Sequence, residues 1–168
     1  MTVKLDVKKT EKALYSGRKW VWEEIMIPSM TYLAVTGRGA PGGADYTRAV
    51  EALYSHAYPL KFACKMAGND YVVPPLEGLW WADDPRDFTT GRRDRWQWKM
   101  LIRLPVPVTP DMIAAARAKA AQKIGDCAPE VRIEALHEDP CLPCPHIGTY
   151  AEDAPGAAPR PDPPKAAH

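Results

Sequence analysis

The spacing of apolar residues along the chain predicts several β-strands. In residues 94–104, Trp96, Trp98, Met100 and Ile102 recur at every second position, which is the period of a strand with one buried face. Residues 31–36 form a short β-rich run that a glycine-rich turn follows. Further strands are predicted at residues 76–81, which read LEGLWW, at residues 131–136, and from residue 146, where HIGTY begins.

Apolar residues at helical spacing predict a helix after the first strand. Between residues 50 and 57 they fall at i, i+3, i+4 and i+7, and Asp45 is a residue type that caps helix starts. Pro59 is expected to end or kink this helix because proline lacks the backbone N–H. Residues 60–66 are then expected to continue as a second helical segment.

A second helix is predicted between the third and fourth strands. Thr109 is followed by a proline and an aspartate, which is a typical helix start, and Gly125 marks the end of the alanine-rich stretch. Strands and helices therefore follow one another in the order strand, helix, strand, strand, helix. This order predicts an α+β fold.

Composition is typical of one folded domain. The chain has 168 residues, of which 46% are hydrophobic and 26% charged. Lys and Arg number 22 against 21 Asp and Glu, a balance that argues against a surface built for nucleic acid or an acidic membrane. No secretory signal and no membrane-spanning apolar run is found, so a cytoplasmic location is expected, where cysteines are usually free thiols.

The carboxyl-terminal residues differ from the rest. Residues 151–168 are rich in Pro and Ala and contain no aromatic or β-branched residue. Such a segment cannot bury enough apolar area to offset the entropy cost of ordering. We therefore expect a folded domain over residues 1–150 and a disordered tail over residues 151–168.

Two segments have the residue types of cofactor or metal sites. The turn between Gly37 and Gly43 matches neither a phosphate loop nor a dinucleotide fingerprint, so a plain turn is favoured and no cofactor is expected. Cys141 and Cys144 lie between two histidines, and zinc binding and redox chemistry are alternatives there. Ordinary thiols are favoured, because the neighbouring prolines restrict how this loop could surround an ion. No metal is predicted.

The aromatic residues point to a ligand site. Trp80 and Trp81 end one predicted strand, and Trp96 and Trp98 lie two apart on the next, so antiparallel pairing would bring the four indoles near each other. Indole walls suit flat, apolar or cationic organic ligands. Glu77 shares a strand face with Trp81 and is predicted to orient a ligand or activate a water. From the residues alone the favoured interpretation is that the aromatic residues form the sheet core and Glu77 pairs with an arginine at its rim, because aromatic stripes are more common in cores than in pockets.

The chain resembles the GyrI-like small-molecule-binding proteins, in the stand-alone branch that includes cyclopropanoid hydrolases. The resemblance covers about residues 7–155 and rests on the motifs TYLAVTGRGAPGG, PLEGLWW, RWQWKMLIRLP and HIGTYAEDAP. It implies two strand-helix-strand-strand repeats with an aromatic groove between them. Residues 30–104 would form a complete first repeat, and HIGTY would open an incomplete second one.

The resemblance also implies a function. Glu77, Trp80, Trp81 and Trp98 would bind the ligand, and Tyr150 matches the tyrosine that assists the hydrolases as they add water to the cyclopropane of DNA-alkylating compounds. This activity is a form of drug resistance. The alternative is a non-catalytic module that sequesters drugs or senses ligands.

The chain departs from the family after residue 155. Family members continue with a helix and two strands, one of which carries an acidic catalytic residue, and that region is replaced here by the Pro/Ala-rich tail. We therefore expect a truncated or frame-shifted form of the family. Because such a form would leave strand edges unpaired, self-association through exposed strand edges is also expected.

Overall fold

The computed structural model describes residues 3–16, 26–125 and 129–137. Within these residues an antiparallel sheet has the strand order β2-β3-β1-β4. Its strands are β1 (Met30–Arg38), β2 (Leu76–Trp81), β3 (Gln97–Arg103) and β4 (Arg132–Leu136). The helices are α1 (Val7–Thr10), α2 (Lys12–Tyr15), α3 (Ala44–Met66), α4 (Arg86–Thr89) and α5 (Pro110–Ile124). This confirms the α+β class.

The main core lies between one face of the sheet and helices α3 and α5. Because side chains alternate along a strand, every second residue of β1 and β3 points to this face. The cluster contains Leu33 and Val35 from β1, Trp98, Met100 and Ile102 from β3, Ala52, Leu53 and Leu60 from α3, and Ala116 from α5. Burial of these side chains is the chief force that holds the helices on the sheet.

Helix α3 differs from its prediction at two points. It begins at Ala44 with Gly43 as the N-cap, so Asp45 lies in the first turn and is not the cap. Pro59 does not end it, since the helix continues to Met66. Proline inside a helix costs about 3 kcal/mol. Leu53 and Leu60, on either side of Pro59, are buried in the core, and this packing offsets that cost.

The other elements agree closely with the periodicity. Helix α5 has the predicted bounds, and the Thr109 hydroxyl oxygen accepts a hydrogen bond from the Met112 backbone N–H at 3.3 Å. Gly125 ends this helix with a φ of 77°, a backbone conformation that favours glycine. Strand β3 starts later than predicted, because Arg93–Arg95 form a short 3₁₀ turn.

Several predictions concern residues that the structure does not describe. The strand from residue 146, the tail over residues 151–168, and Cys141 and Cys144 all lie outside the described residues. Within the described ranges no group of three or more His, Cys, Asp or Glu side chains is arranged to hold a metal ion. None of the helices in those ranges has the length and apolar character needed to cross a membrane.

Candidate functional site

The sheet has a second face, which we call the Glu77 face. It carries Glu77, Leu79 and Trp81 of β2, Lys99, Leu101 and Arg103 of β3, Tyr32, Ala34 and Thr36 of β1, and Arg132 and Glu134 of β4. A small cluster that includes Tyr32 and Leu101 packs here against Leu14 of α2. At the other end of the face, Leu79 is 43% exposed and Trp81 is 39% exposed. The face therefore combines a packed end with an accessible apolar end.

The structure does not bring the three predicted tryptophans together. Trp80 and Trp98 are directly paired across β2 and β3 on the helix-covered face. Trp81, as the next residue of β2, points to the Glu77 face. Trp98 is only 1% exposed, so its indole is part of the core rather than the wall of an accessible groove.

Trp98 is held in the core by close neighbours on β1 and α3. Its ring lies directly over Gly37 of β1, where any Cβ atom would overlap it. Tyr46 of α3 meets it edge-on with 5.7 Å between ring centroids, and stacks on Trp80 at 5.9 Å. Trp96 in turn meets Trp80 edge-on at 6.0 Å. The aromatic cluster that the sequence predicts exists, but most of it is structural.

Glu77 does share a face with Leu79 and Trp81, as the alternation predicts. Its direct partner on β3 is Leu101, so Lys99 and Arg103 are its diagonal neighbours on the same face. Diagonal neighbours in an antiparallel pair lie about 7–8 Å apart, which is within reach of long side chains. The carboxylate of Glu77 is thus placed between two cationic side chains.

Arg103 connects the sheet to the amino-terminal helices. Its guanidinium donates two hydrogen bonds to the Glu11 carboxylate, at 2.5 and 3.0 Å, and a third to the Tyr15 hydroxyl oxygen at 3.3 Å. The paired contacts match the fork of a guanidinium to the two oxygens of a carboxylate, the strong form of this interaction. The position of Tyr15 is therefore fixed through Arg103.

The Tyr15 hydroxyl is kept protonated by its surroundings. Burial raises the pKa of this phenol, the Arg103 guanidinium opposes the rise, and the negative charges of Glu77 and Glu11 add to it. The net pKa is above the ordinary value of 10.0. Tyr15 is consequently a neutral hydrogen-bond donor near pH 7, within electrostatic range of Glu77.

A second ion pair crosses the Glu77 face. The Lys99 ammonium lies 2.6 Å from a carboxylate oxygen of Glu134, although β1 separates their strands. The direct partners of Lys99 and Glu134 on β1 are Thr36 and Tyr32, so the contact runs diagonally across this strand. In chemical terms the face offers a carboxylate, a neutral phenol and fixed cations beside exposed apolar surface.

Sequence reasoning missed Glu11, Tyr15 and Arg103. The period of two places Arg103 on the same face as Lys99, so its orientation had a local signal. Its partners are 88 and 92 residues away along the chain, and no local pattern can reveal such contacts. Tyr150, the catalytic candidate from the resemblance, lies outside the described residues.

Solved structures with the same fold and related sequence come from Listeria innocua. An uncharacterized conserved protein matches with a TM-score of 0.78 and 36% identity, over 89% of this chain and 74% of that one. A hydrolase matches with a TM-score of 0.74 and 36% identity over the same shares. Another hydrolase structure has a TM-score of 0.75 and 37% identity, over 89% of this chain and 75% of that one.

These matches define the class of protein. No family model and no curated protein matches the chain. At this identity and coverage, however, the chain belongs to the same family as the Listeria innocua proteins. The shared fold is α+β, and two of these structures are described as hydrolases.

Proposed function

We propose that the protein is a GyrI-like small-molecule-binding protein that takes flat apolar or cationic ligands on the Glu77 face and hydrolyses cyclopropane-type genotoxins there. One observation carries the proposal: Glu77 lies on the same face as the exposed side chains of Leu79 and Trp81. The hydrolase descriptions of two relatives support a hydrolytic reaction.

Binding uses the accessible end of the face. A flat ligand stacks on the Trp81 indole and covers Leu79, which removes apolar surface of both partners from water. A positive charge on the ligand gains from the electron-rich indole and from the Glu77 carboxylate. Trp80 and Trp98 contribute indirectly, because they hold β2 and β3 in register on the opposite face.

Hydrolysis uses Glu77 and Tyr15. The Glu77 carboxylate accepts a proton from a water molecule as the water oxygen attacks the electrophilic carbon of a carbonyl-activated cyclopropane. The ring C–C bond breaks, and its electron pair moves to the carbonyl oxygen as an enolate. The Tyr15 hydroxyl donates a hydrogen bond to that oxygen, and the proton from Glu77 then returns to the enolate. The product is the substrate plus one water.

Arg103 acts as a positioning residue in this scheme. It holds Tyr15 through a direct hydrogen bond and is itself held by Glu11. The raised pKa of Tyr15 suits the role of donor, since an ionised phenolate could not stabilise an enolate. The role of Tyr150 remains a prediction from the resemblance.

Ligand binding is tested with a charged and a neutral aromatic compound of the same shape. Calorimetric titration with N-methylquinolinium and with quinoline should show tighter binding of the cation. Glu77→Gln should lower the affinity for the cation by about threefold to tenfold and leave the affinity for the neutral compound unchanged. Glu51→Gln, at an exposed carboxylate of α3, is the control. Equal binding of both compounds by wild type and Glu77→Gln would remove Glu77 from the site.

Hydrolysis is tested with a carbonyl-activated cyclopropane and mass spectrometry. Wild type should yield a ring-opened product heavier by one water, and Glu77→Gln and Tyr15→Phe should each slow its formation by about 10²–10⁴-fold. The Glu51→Gln variant should keep the wild-type rate. Binding of the compound without any product would contradict hydrolysis and select the non-catalytic sequestering function.

A further inference from the structure

A separate pocket lies on the helix side of the sheet, away from the Glu77 face. Its volume is about 300 Å³, at the lower end of the range for small-molecule sites. Helix α3 contributes His56, helix α5 contributes one face that runs from Arg117 to Ile124, and residues 129–131 close the third side. The apolar part of the lining includes Ala120, Ile124 and Val131.

His56 is buried, and its ring orientation is fixed. Its Nδ1 lies 2.8 Å from the backbone carbonyl oxygen of Ala52, one helical turn earlier. Since a carbonyl oxygen only accepts, Nδ1 carries a proton and donates it to this bond. In the neutral ring Nε2 is then an acceptor, and no described residue donates a hydrogen bond to it. The pocket therefore presents an acceptor that lacks a donor from the described residues.

Two opposite charges line the same pocket. Arg117 and Glu130 are exposed, and neither forms an ion pair with a described residue. Gly125 marks the carboxyl-terminal end of α5, where the helix dipole is negative, and it lies eight residues beyond Arg117, or about 12 Å along the axis. The pocket is thus positive at its Arg117 end, whereas Glu130 and the helix terminus supply negative charge.

We infer that this pocket binds a small zwitterion with a carboxylate and an ammonium group at opposite ends of a short apolar chain. Arg117 pairs with the carboxylate, in the geometry that a guanidinium favours. Glu130, Nε2 of His56 and the carbonyl end of α5 accept from the ammonium. The apolar chain covers Ala120 and Ile124. Short ω-amino acids and dipeptides have this pattern of groups.

The first test compares three probes that differ only in charge: 5-aminopentanoate, pentanoate and pentylamine. Titrations are followed by the imidazole nitrogen resonances of His56, assigned with His56→Gln. A ligand of this size should bind wild type with a Kd of about a millimolar. The zwitterion should shift the His56 signals and bind at least about tenfold more tightly than either singly charged probe.

Two variants identify which end of the probe each charge binds. Arg117→Gln should reduce the affinity for 5-aminopentanoate to that for pentylamine, and Glu130→Gln should reduce it to that for pentanoate. Both positions are exposed, so the variants should fold, which circular dichroism can verify. Arg48→Gln, at an exposed arginine of α3 outside the pocket, is the matched control and should bind as wild type does.

Three outcomes would overturn the inference. They are equal affinity for the three probes, no shift of the His56 resonances at saturating zwitterion, and equal affinities for Arg117→Gln and Arg48→Gln. The probe comparison needs only wild-type protein, so it does not depend on the stability of any variant. Cyclopropane hydrolysis by Glu77 is measured separately, and its failure would leave this test unaffected.

Discussion

The two faces of the sheet come from the same strands but have opposite characters. The helix-covered face packs Leu33, Trp98 and Met100 at 1–2% exposure against α3 and α5. The Glu77 face carries ion pairs and leaves Leu79 and Trp81 about two-fifths exposed. Adjacent residues of one strand therefore point to opposite faces of the sheet. One contributes to the stability of the core, and the next lies on the face where we propose that ligands bind. Mutations that test one face should leave the other largely unchanged.

The largest expected effect is at the centre of the helix-covered face. Trp98→Ala removes a fully buried indole and should lower the free energy of unfolding by about 3–5 kcal/mol, as measured by urea denaturation. Trp98 Nε1 has no hydrogen-bond partner among the described residues, so its burial is unfavourable. Removing this N–H group therefore offsets part of the loss. A loss below about 1 kcal/mol would show that Trp98 is not a core residue.

The backbone beneath Trp98 gives a smaller effect. In Gly37→Ala the new Cβ atom would overlap the Trp98 ring, so the ring or β1 must shift. Overpacking of this kind should cost about 1–3 kcal/mol in the same urea measurement. Thr36→Ala, at the preceding exposed position of β1, is the control and should cost less. Equal losses for the two variants would contradict the close contact between Gly37 and Trp98.

Alkaline pH should separate a buried tyrosine from exposed ones. Burial raises the pKa of Tyr71, with smaller contributions from Cys64 and Asp70. An unfolded tyrosine ionises near pH 10, whereas folded Tyr71 keeps its proton, so stability is retained below that pH and falls as the pH rises above it. Tyr71→Phe should reduce this loss of stability at alkaline pH. Near pH 7 the variant should lower the free energy of unfolding only slightly, because no described residue accepts a hydrogen bond from the Tyr71 hydroxyl.

The pH dependence is measured by urea denaturation between about pH 7 and 11, a range that spans the ordinary tyrosine pKa. Tyr58→Phe, at an exposed tyrosine of α3, is the control variant. If Tyr71→Phe and wild type lose stability in parallel above pH 10, the hydroxyl of Tyr71 is not the group responsible.

The smallest effect on stability is expected at Trp81. Trp81→Ala removes an indole that is 39% exposed, so the free energy of unfolding should fall by about 1 kcal/mol or less. The same variant should nevertheless lose most of its affinity for quinoline and N-methylquinolinium in calorimetry. A stability loss close to that of Trp98→Ala would remove the distinction between the two faces.

Local patterns predicted much of the fold. The period of two placed Trp98, Met100 and Ile102 on one face, and the cap at Thr109 located the start of α5. Pro59 does not end α3, because tertiary packing of the helix outweighs the local preference. The face that the helices cover is decided by long-range packing, so Trp98 was assigned to a ligand groove although it lies in the core. The Glu11–Arg103 contact is equally non-local.

The strand order also determines how quickly backbone amides exchange with solvent. Residues 32–34 of β1 pair with both β3 and β4, so the N–H groups of this stretch are engaged on either side, whereas β2 pairs with β3 alone in the described sheet. Alternate amides of β2 point outward and exchange without any opening of the fold, but those of residues 32–34 exchange only when the sheet separates. Deuterium uptake at residues 32–34 therefore reports global unfolding, and uptake along β2 reports events at the rim of the proposed ligand site.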